Sequence, residues 1–434
     1  MRDSGTESTD DREGDDAGPS YNMDLSEFET LYIDKRIDPA VALPAELLTQ
    51  IFIHVDVTSL LQCFHVSKAW HAAADNNTLW AFKFRQRRKY WALQPHMPST
   101  SSLDYKQLFR TRLELDRRWR SGKVTPRVLL GHKESVYCVQ FDADKIVTGS
   151  RDKTMRIWNT RTGELLRTLK LEEEDESGHG EENISGHEGS VLCLQYDNEL
   201  LISGSSDHTM IVWSLPTYAP THRFRHHTGP VLDVVFDSRH IVSCSKDSTI
   251  CLRDRRTKGY PILHQIRACN GTVNSIDLRH RVVVSAGVDN VVRLWNADTG
   301  KSIISLYGHS RGVACVQMSK DRKMVVSGGN DNTIKVWNAR TGACLKTLEG
   351  HTSLVRSLQI CGRTLISASY DKTVKFWDLD RFTLNLEIKN WHDSWIFSAK
   401  ANYRMIVSTA FDDDPIVLDF AEGLDEEYLK YFAD

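Results

Sequence analysis

Histidine, serine or threonine, and aspartate are the side chains of nucleophilic acyl transfer, and this chain of 434 residues carries them together repeatedly. Histidines at positions His132, His187, His227, His309, His351 and His392, with Cys269 taking the same place once, are each followed by a hydroxyl residue. These are Thr148, Ser203, Ser243, Ser327, Ser367 and Ser408, with Ser285 after the cysteine. Four residues beyond each hydroxyl stands an aspartate: Asp152, Asp207, Asp247, Asp289, Asp331, Asp371 and Asp412. A catalytic triad occurs once in an enzyme, whereas a set present in every copy of a repeat reads as a buried hydrogen-bond network that links loop, strand and turn. Apart from these sets there is no isolated nucleophile with a base, no metal-ligand cluster and no glycine loop to cradle phosphate. The residues therefore indicate no catalytic residue, no metal and no cofactor.

The elements that must position these residues follow from the same spacing. The units recur every 40 to 42 residues, except for a first unit of 55. A tryptophan closes most of them six residues after the aspartate, at Trp158, Trp213, Trp295, Trp337 and Trp377, with Arg253 and Leu418 in its place in units three and seven. Between these marks lie short β-branched runs such as KIVTGS, RIWNT and LLISGS, separated by turn residues, which predict four strands per unit. This pattern resembles the WD-repeat family over about 127 to 420. One such unit leaves its apolar faces bare, so the repeat closes into a ring of blades, a seven-bladed β-propeller. Units three, four and seven each lack a member of the network and are expected to be the more labile blades. Cys138, Cys193 and Cys315, six residues after the histidine, are expected in the core.

Composition restricts the rest. Apolar residues make up 40% and charged residues 26%, and no apolar run approaches the roughly 18 residues of a membrane span. The first residues, MRDSGTESTDDREGDDAGPS, are polar and acidic where a signal peptide is apolar, which predicts a cytoplasmic or nuclear protein with no membrane partner. Nine cysteines without a CxxC pair indicate reduced thiols, not zinc or disulfides. The net charge of -3 conceals a basic stretch over 83–127, but its bases are interleaved with helix-period apolar residues, which argues against nucleic acid.

Residues 42–84 predict a small helical module: Pro44 suits a first helical turn, and Leu47, Leu48, Ile51, Phe52 and Val55 share one face. A second helix is expected from about Thr58 through Leu60, Leu61, Phe64 and Val66, followed by Trp70, Leu79 and Trp80. The order LP, ELL, LL, VS, W and LW resembles the F-box. That resemblance implies a three-helix domain docking on the Skp adaptor, and through it on a cullin-RING ligase core, by way of Leu43, Pro44, Leu47, Leu48, Ile51, Phe52, Leu60, Leu61, Val66, Trp70, Leu79 and Trp80. Residues 102–123 are amphipathic, with Leu103, Leu108, Leu113 and Trp119 at helical spacing, and are similar to the helical linker of F-box/WD-repeat proteins. The expected organisation is an acidic segment 1–38, F-box 39–86, linker 87–126, propeller 127–420 and acidic tail 421–434, giving a mainly β protein with an α-helical N-terminal part.

In a propeller the loop carrying the histidine and the turn before the aspartate open on one rim. Positions three and five after the histidine, and the one before the aspartate, are therefore expected at the ring's entrance. They include four bases, Arg151, Lys246, Arg356 and the adjacent Arg311, and no acid. Such a one-sign set predicts an anion-binding mouth, and paired guanidinium forks suit phosphate oxygens. Segments such as SVYCVQFDADKIVTGSRD, SCSKDSTI and LVRSLQ resemble the β-transducin-repeat-containing F-box proteins, a group that reads a phosphorylated Asp-Ser-Gly-x-x-Ser degron. The resemblance implies phosphodegron contacts from Tyr137, Arg151, Ser190, Ser206, Lys246, Asn274, Arg311, Gly312, Ala314, Leu354, Arg356 and Tyr370. This chain departs from the group at Trp395, where an arginine is usual and where Phe397 and Phe411 are neighbours, and at Val288 and Asn290. Trp395 joins the expected contact set, with an apolar substrate residue in place of a phosphate.

The whole reads as the non-catalytic substrate receptor of an SCF-type ubiquitin ligase that binds phosphorylated proteins. The alternative is a WD-repeat scaffold without a degradation role, and dimerisation is left open. Two segments invite regulatory readings: the string Asp3-Ser4-Gly5-Thr6-Glu7-Ser8, which spells the degron pattern, and the acidic insert 171–185 in the long first unit.

Overall fold

The computed structural model describes residues 38–87, 103–122, 124–170 and 186–432. The Asp-Ser-Gly string and the acidic insert lie outside them. Residues 38–87 and 104–106 form one unit; residues 107–434 belong to a second.

In the first unit, polar caps cut the chain into short helices. Asp38 accepts from Ala40 N–H at the start of Pro39–Ala42, and Asp56 accepts from Thr58 and Ser59 at the start of Val57–Cys63. Ser67 and Asn76 do the same for Lys68–Ala74 and Asn77–Gln86. The helix that begins after Pro44 runs Ala45–His54, and the one expected to reach Val66 stops at Cys63. The unit closes around Leu48, Phe52, Leu60, Leu79, Trp80 and Phe84, all nearly inaccessible to solvent. Lys83 is buried among them, with Nζ donating to the carbonyls of Ile53 and Val55 at the end of Ala45–His54. A cation there satisfies carbonyls that have no helical partner, while its burial holds the ammonium pKa below the usual value.

In the second unit, β-branched runs alternating with turns form seven antiparallel four-stranded sheets. In the first sheet, strands Val136–Phe141, Lys145–Ser150, Met155–Asn159 and Leu165–Leu169 lie side by side from the inside outward. The inner strands of consecutive sheets pack on one another, and the last, Ile396–Ala401, packs on the first, so the ring is closed. The seventh sheet takes its outer strand from the opposite end of the ring sequence: Pro126–Val128 pairs with Ile416–Asp419, Val128 facing Ile416. Closure therefore rests on hydrogen bonds between the two ends of the repeat array.

Core clusters form between blades. Cys138, Val147 and Ile157 pack on Val191, Leu201 and Trp213 of the next blade, and Leu129, Val139 and Trp158 pack on Met405, Val407 and Val417 to complete the circle. Packing is close enough that a Cβ on Gly149 would lie 2.7 Å from both Cys138 Sγ and Val191 Cγ1. Blades are also stitched through their inner strands: Gln195 donates to the Phe236 carbonyl (3.1 Å) and accepts from its N–H (2.7 Å), while Asp277 accepts from Met318 N–H at 2.7 Å.

The helix Tyr105–Ser121 falls in the amphipathic segment and buries most of the expected stripe, Leu113 excepted. Leu108, Phe109 and Leu115 are buried, whereas Leu113 is exposed. Trp119 stacks on Phe420 with centroids 4.0 Å apart, and its indole N–H donates to the Tyr403 carbonyl at 3.0 Å. Tyr403 lies in the turn between the first two strands of the seventh blade. Those turns sit at the end of the ring opposite the histidine loops, so this stretch of helix leaves the entrance clear.

Candidate functional site

The repeated His, Ser/Thr and Asp sets are structural. His309 Nδ1 lies 2.8 Å from Asp331, its Nε2 lies 2.8 Å from Ser327 Oγ, and the Trp337 N–H donates to that hydroxyl at 2.8 Å. Blades one, two and six repeat the arrangement around Thr148, Ser203 and Ser367. Each hydroxyl is occupied on both sides and faces no open space, so none is placed as a nucleophile. Burial alone would raise the Asp152, Asp207 and Asp371 carboxyls, but hydrogen bonds from His132, His187 and His351 and from neighbouring threonines outweigh it and hold all three well below the carboxylate range.

Blades three and four find substitutes for the missing members. In blade three the missing indole is replaced by His226, whose Nε2 approaches Ser243 Oγ at 3.2 Å beside His227 at 2.9 Å, while the Arg253 guanidinium lies 4.0 Å over the Phe224 ring. Burial pushes His226 down to about 3, so it sits there neutral. In blade four the Cys269 thiol donates to the Gly271 carbonyl and Asp289 pairs with Arg293 at 2.8 Å. In blade seven His392 lies 3.6 Å from Asp412.

The entrance is assembled by one backbone link made in every blade. The N–H before the aspartate donates to the carbonyl three residues after the histidine: Arg151 to Ser135, Ser206 to Ser190, Lys246 to Pro230, Val288 to Thr272, Asn330 to Gly312, Tyr370 to Leu354 and Phe411 to Trp395, all at 2.8–3.1 Å. These bonds hold the two sets of expected entrance positions together on one rim. Arg151, Lys246, Arg311 and Trp395 are exposed there, and Tyr137, Ser190, Ser206, Asn274, Gly312, Leu354, Arg356 and Tyr370 are half-buried. Ala314 is buried. Part of the set is engaged within the fold: the Ser206 hydroxyl accepts from Ser190 N–H at 2.8 Å, and the Asn274 amide donates to the Val313 carbonyl at 2.8 Å.

Two features were not apparent in the sequence. Glu134, outside the expected positions, pairs with Arg151 at 3.3 Å, so one of the four cations already has a carboxylate. Among the described residues Lys246, Arg311 and Arg356 have none within ion-pair distance. Second, Tyr370 and Tyr137 join the Trp395, Phe397 and Phe411 already expected together, so that five aromatic rings meet across blades six, seven and one. Tyr370 stacks on Trp395 (5.1 Å, planes 8° apart), Phe397 lies 5.8 Å from Tyr370 and 5.0 Å from Tyr137, and Phe411 lies 5.9 Å from Trp395. Below the mouth the inner strands enclose a channel of about 810 Å³, whose wall includes Tyr137, Asn274, Arg356 and Phe397 and also Asp233, Asp277 and Lys400. Burial raises the carboxyl pKa of both Asp233 and Asp277.

On the helical unit the expected docking residues divide. Leu48, Phe52, Leu60, Leu79 and Trp80 are buried in the bundle and shape it, while Leu47, Ile51, Leu61 and Val66 are exposed large apolar side chains. Leu43 and Trp70 are half-buried, the Trp70 indole N–H donating to Asp38 at 2.6 Å, and Pro44 is exposed. The partition corrects the reading that all of them face a partner: an α-helix packed in a bundle turns only one side outward.

These features define a class, a WD-repeat propeller with an F-box-like helical segment ahead of it. The family model for the WD domain, G-beta repeat, matches residues 124–159, 181–214, 218–254, 261–296, 300–338 and 342–378, together about half of the chain, and an F-box-like model matches residues 40–86. The chain belongs to the F-box/WD-repeat proteins. Three strands of the seventh blade lie beyond the matched segments, in the part where Leu418 stands in place of tryptophan.

Among curated proteins, the chain is 28% identical over 404 residues to "Probable E3 ubiquitin ligase complex SCF subunit sconB" of Arthroderma benhamiae, covering 64% of this chain and 61% of that protein. It is 25% identical over 412 residues to cell division control protein 4 of Saccharomyces cerevisiae, covering 84% and 46%. The chain thus spans between about half and three fifths of the length of these relatives. Among solved structures, the WD40 β-propeller domain of Doa1 matches with a TM-score of 0.59 at 23% identity, over 70% of this chain and 97% of that one, a likeness of fold.

Proposed function

We propose that this protein is the substrate-receptor subunit of an SCF-type cullin-RING ubiquitin ligase, with no catalytic residue of its own. The helical unit binds the Skp adaptor through Leu47, Ile51, Leu61 and Val66, exposed apolar side chains of the kind that a partner's groove takes up. The propeller entrance binds a phosphorylated segment of the substrate, with Arg356, Arg311, Lys246 and Arg151 as its cations. The observation that carries this reading is the seven-fold backbone link, which brings those cations to one rim while Trp119 and its helix occupy the other end of the ring. Guanidinium forks match phosphate oxygens in pairs, and Lys246, Arg311 and Arg356 have no carboxylate within ion-pair distance among the described residues. The chain carries an F-box-like segment and a WD-repeat propeller in one polypeptide, and it is similar to a relative named as a probable SCF subunit. The site of action is the cytoplasm or the nucleus.

The test is affinity capture of the full chain from cells after proteasome inhibition, beside a variant with Leu47→Ser and Ile51→Ser. Adaptor and cullin should accompany the wild type alone, and phosphorylated proteins should accompany both. A wild type that captures propeller partners but no cullin would instead describe a scaffold.

A further inference from the structure

The inner strands that line the channel repeat one residue at one depth. Eight positions after the histidine stand Gln140, Gln195, Gln317 and Gln359, in blades one, two, five and six. Each side chain reaches the inner strand of the next blade. Gln359 donates to the Ala401 carbonyl at 2.7 Å and accepts from its N–H at 2.6 Å, and Gln140 treats Tyr196 in the same way. A neutral amide, donor and acceptor in one group, suits that duty. Two blades place a charge there instead, Asp277 in blade four and Lys400 in blade seven. Blade three has Val235 at this depth, and its charge, Asp233, stands two residues nearer the mouth.

The fold uses these charges unequally. Asp233 accepts from the Ser275 hydroxyl at 3.0 Å and from Ile276 N–H at 2.9 Å, and Asp277 accepts from Met318 N–H with Arg279 at 3.6 Å. Lys400 has no such use: among the described residues its ammonium has neither a hydrogen bond nor a carboxylate within ion-pair distance. In a ring of seven, blade seven stands opposite blades three and four, so the acids and the base face each other across the channel. Burial raises both carboxyls, and Lys400 is among the groups that offset part of the rise, so its charge is felt by both without contact. The other charges of the wall lie toward its ends, Arg356 at the mouth and the rest in or beside the lower turns.

The geometry points to a small zwitterion as the ligand of this channel, its ammonium on Asp233 and Asp277, its carboxylate on Lys400 and its carbon chain across the gap. A simple anion on Lys400 is repelled by the two aspartates, and a simple cation on the aspartates is repelled by Lys400. A molecule with opposite charges at its two ends meets both walls at once, in a narrow space where water screens little. The volume of about 810 Å³ lies in the range of small-molecule sites, roughly 300–1,000 Å³. Lys400 stands three residues deeper along its strand than Arg356 does along its own, about 10 Å at the rise of a strand. The site is therefore separate from the cations of the mouth.

The probe is a series of ω-amino carboxylates from glycine to 6-aminohexanoate, each beside its amide, which has no carboxylate, and its N-acetyl form, which has no ammonium. Titrated by calorimetry into the full chain, one length should bind at least about tenfold more tightly than either derivative, as the loss of a charged hydrogen bond implies. Lys400→Gln, which supplies the residue of four other blades, should erase the preference over the amide without lowering the thermal midpoint of the free chain. Asp233→Asn should erase the preference over the N-acetyl form, and Arg356→Ala should change neither. No preference at any length would overturn the inference, as would one that survives Lys400→Gln or is lost with Arg356→Ala. A lowered midpoint for Lys400→Gln would overturn it too, by making that lysine part of the fold. No phosphate enters the measurement, so each of these results leaves the phosphopeptide reading where it stands.

Discussion

The indole N–H of Trp337 donates to the Ser327 hydroxyl, which in turn lies 2.8 Å from Nε2 of His309. With His309 Nδ1 facing Asp331, one tautomer satisfies every group: the indole donates to the hydroxyl, the hydroxyl to Nε2, and Nδ1–H to the carboxylate. The chain of bonds ties the third strand of the blade, through its second strand, to the entry loop. Its worth depends on every member being present.

Removing one end of that chain should therefore cost more in a complete blade than in an incomplete one. Trp337→Phe should destabilise the propeller by about 1 to 3 kcal/mol, since a buried hydroxyl loses its donor along with part of the packing. His392→Gln, in the blade where Asp412 is 3.6 Å away, should cost less. Denaturant midpoints compare them, and equal losses would remove the distinction between blades. Hydrogen exchange should open blades three, four and seven first.

Acid should weaken the ring in two stages. Burial holds the imidazoles of His227, His309 and His392 below the ordinary 6.5, so below that pH the unfolded chain takes up protons that the folded one does not. Stability then falls as pH falls. A second loss begins below 3.8, where the unfolded Asp152, Asp207 and Asp371 become protonated while their folded counterparts, held far lower by histidine and threonine hydrogen bonds against the effect of burial, remain charged. Thermal midpoints measured from pH 7.5 to about 3 check this, and a flat profile from 7 to 5 would contradict the first stage.

The ring was legible in sequence because its marks recur at fixed offsets and each mark answers to a local contact. The link from Tyr370 to Leu354 needs only one loop and one turn of one blade, so the entrance positions could be read off the repeat. The contact of Phe397 with Tyr137 could not, since it joins blades seven and one, far apart in sequence, and exists only once the circle closes. Glu134 escaped because it lies beside, not on, the expected positions. Likewise, apolar spacing grouped Leu47 with Leu48 on one helical face, and only the packing of the bundle separates them.

That separation has a consequence at the helical unit. Leu48→Ala should destabilise the unit by about 2 to 5 kcal/mol through a cavity, with adaptor binding lost secondarily. Leu47→Ser with Ile51→Ser should abolish adaptor capture at an unchanged melting profile. Full adaptor binding by the exposed-face variant would place the docking surface elsewhere.

The cations of the mouth should be unequal. Arg356→Ala should weaken phosphopeptide binding by about 1.5 to 3 kcal/mol, the usual worth of a hydrogen bond between charged groups. Arg151 shares its charge with Glu134, so Glu134→Gln should tighten binding, most at low salt where screening is weak. Titration calorimetry with a singly phosphorylated peptide separates the two, and no change at Glu134 would make that ion pair irrelevant to the ligand.

The receptor assignment is tested most directly by ubiquitin transfer in a reconstituted system: full chain, Skp adaptor, cullin-RING core, and a protein substrate captured in its phosphorylated form. The phosphorylated substrate should be modified; Arg356→Ala should abolish modification while the ligase remains assembled, and Leu47→Ser with Ile51→Ser should abolish assembly itself. Equal modification of phosphorylated and dephosphorylated substrate by an assembled ligase, unaffected by Arg356→Ala, would contradict the receptor assignment.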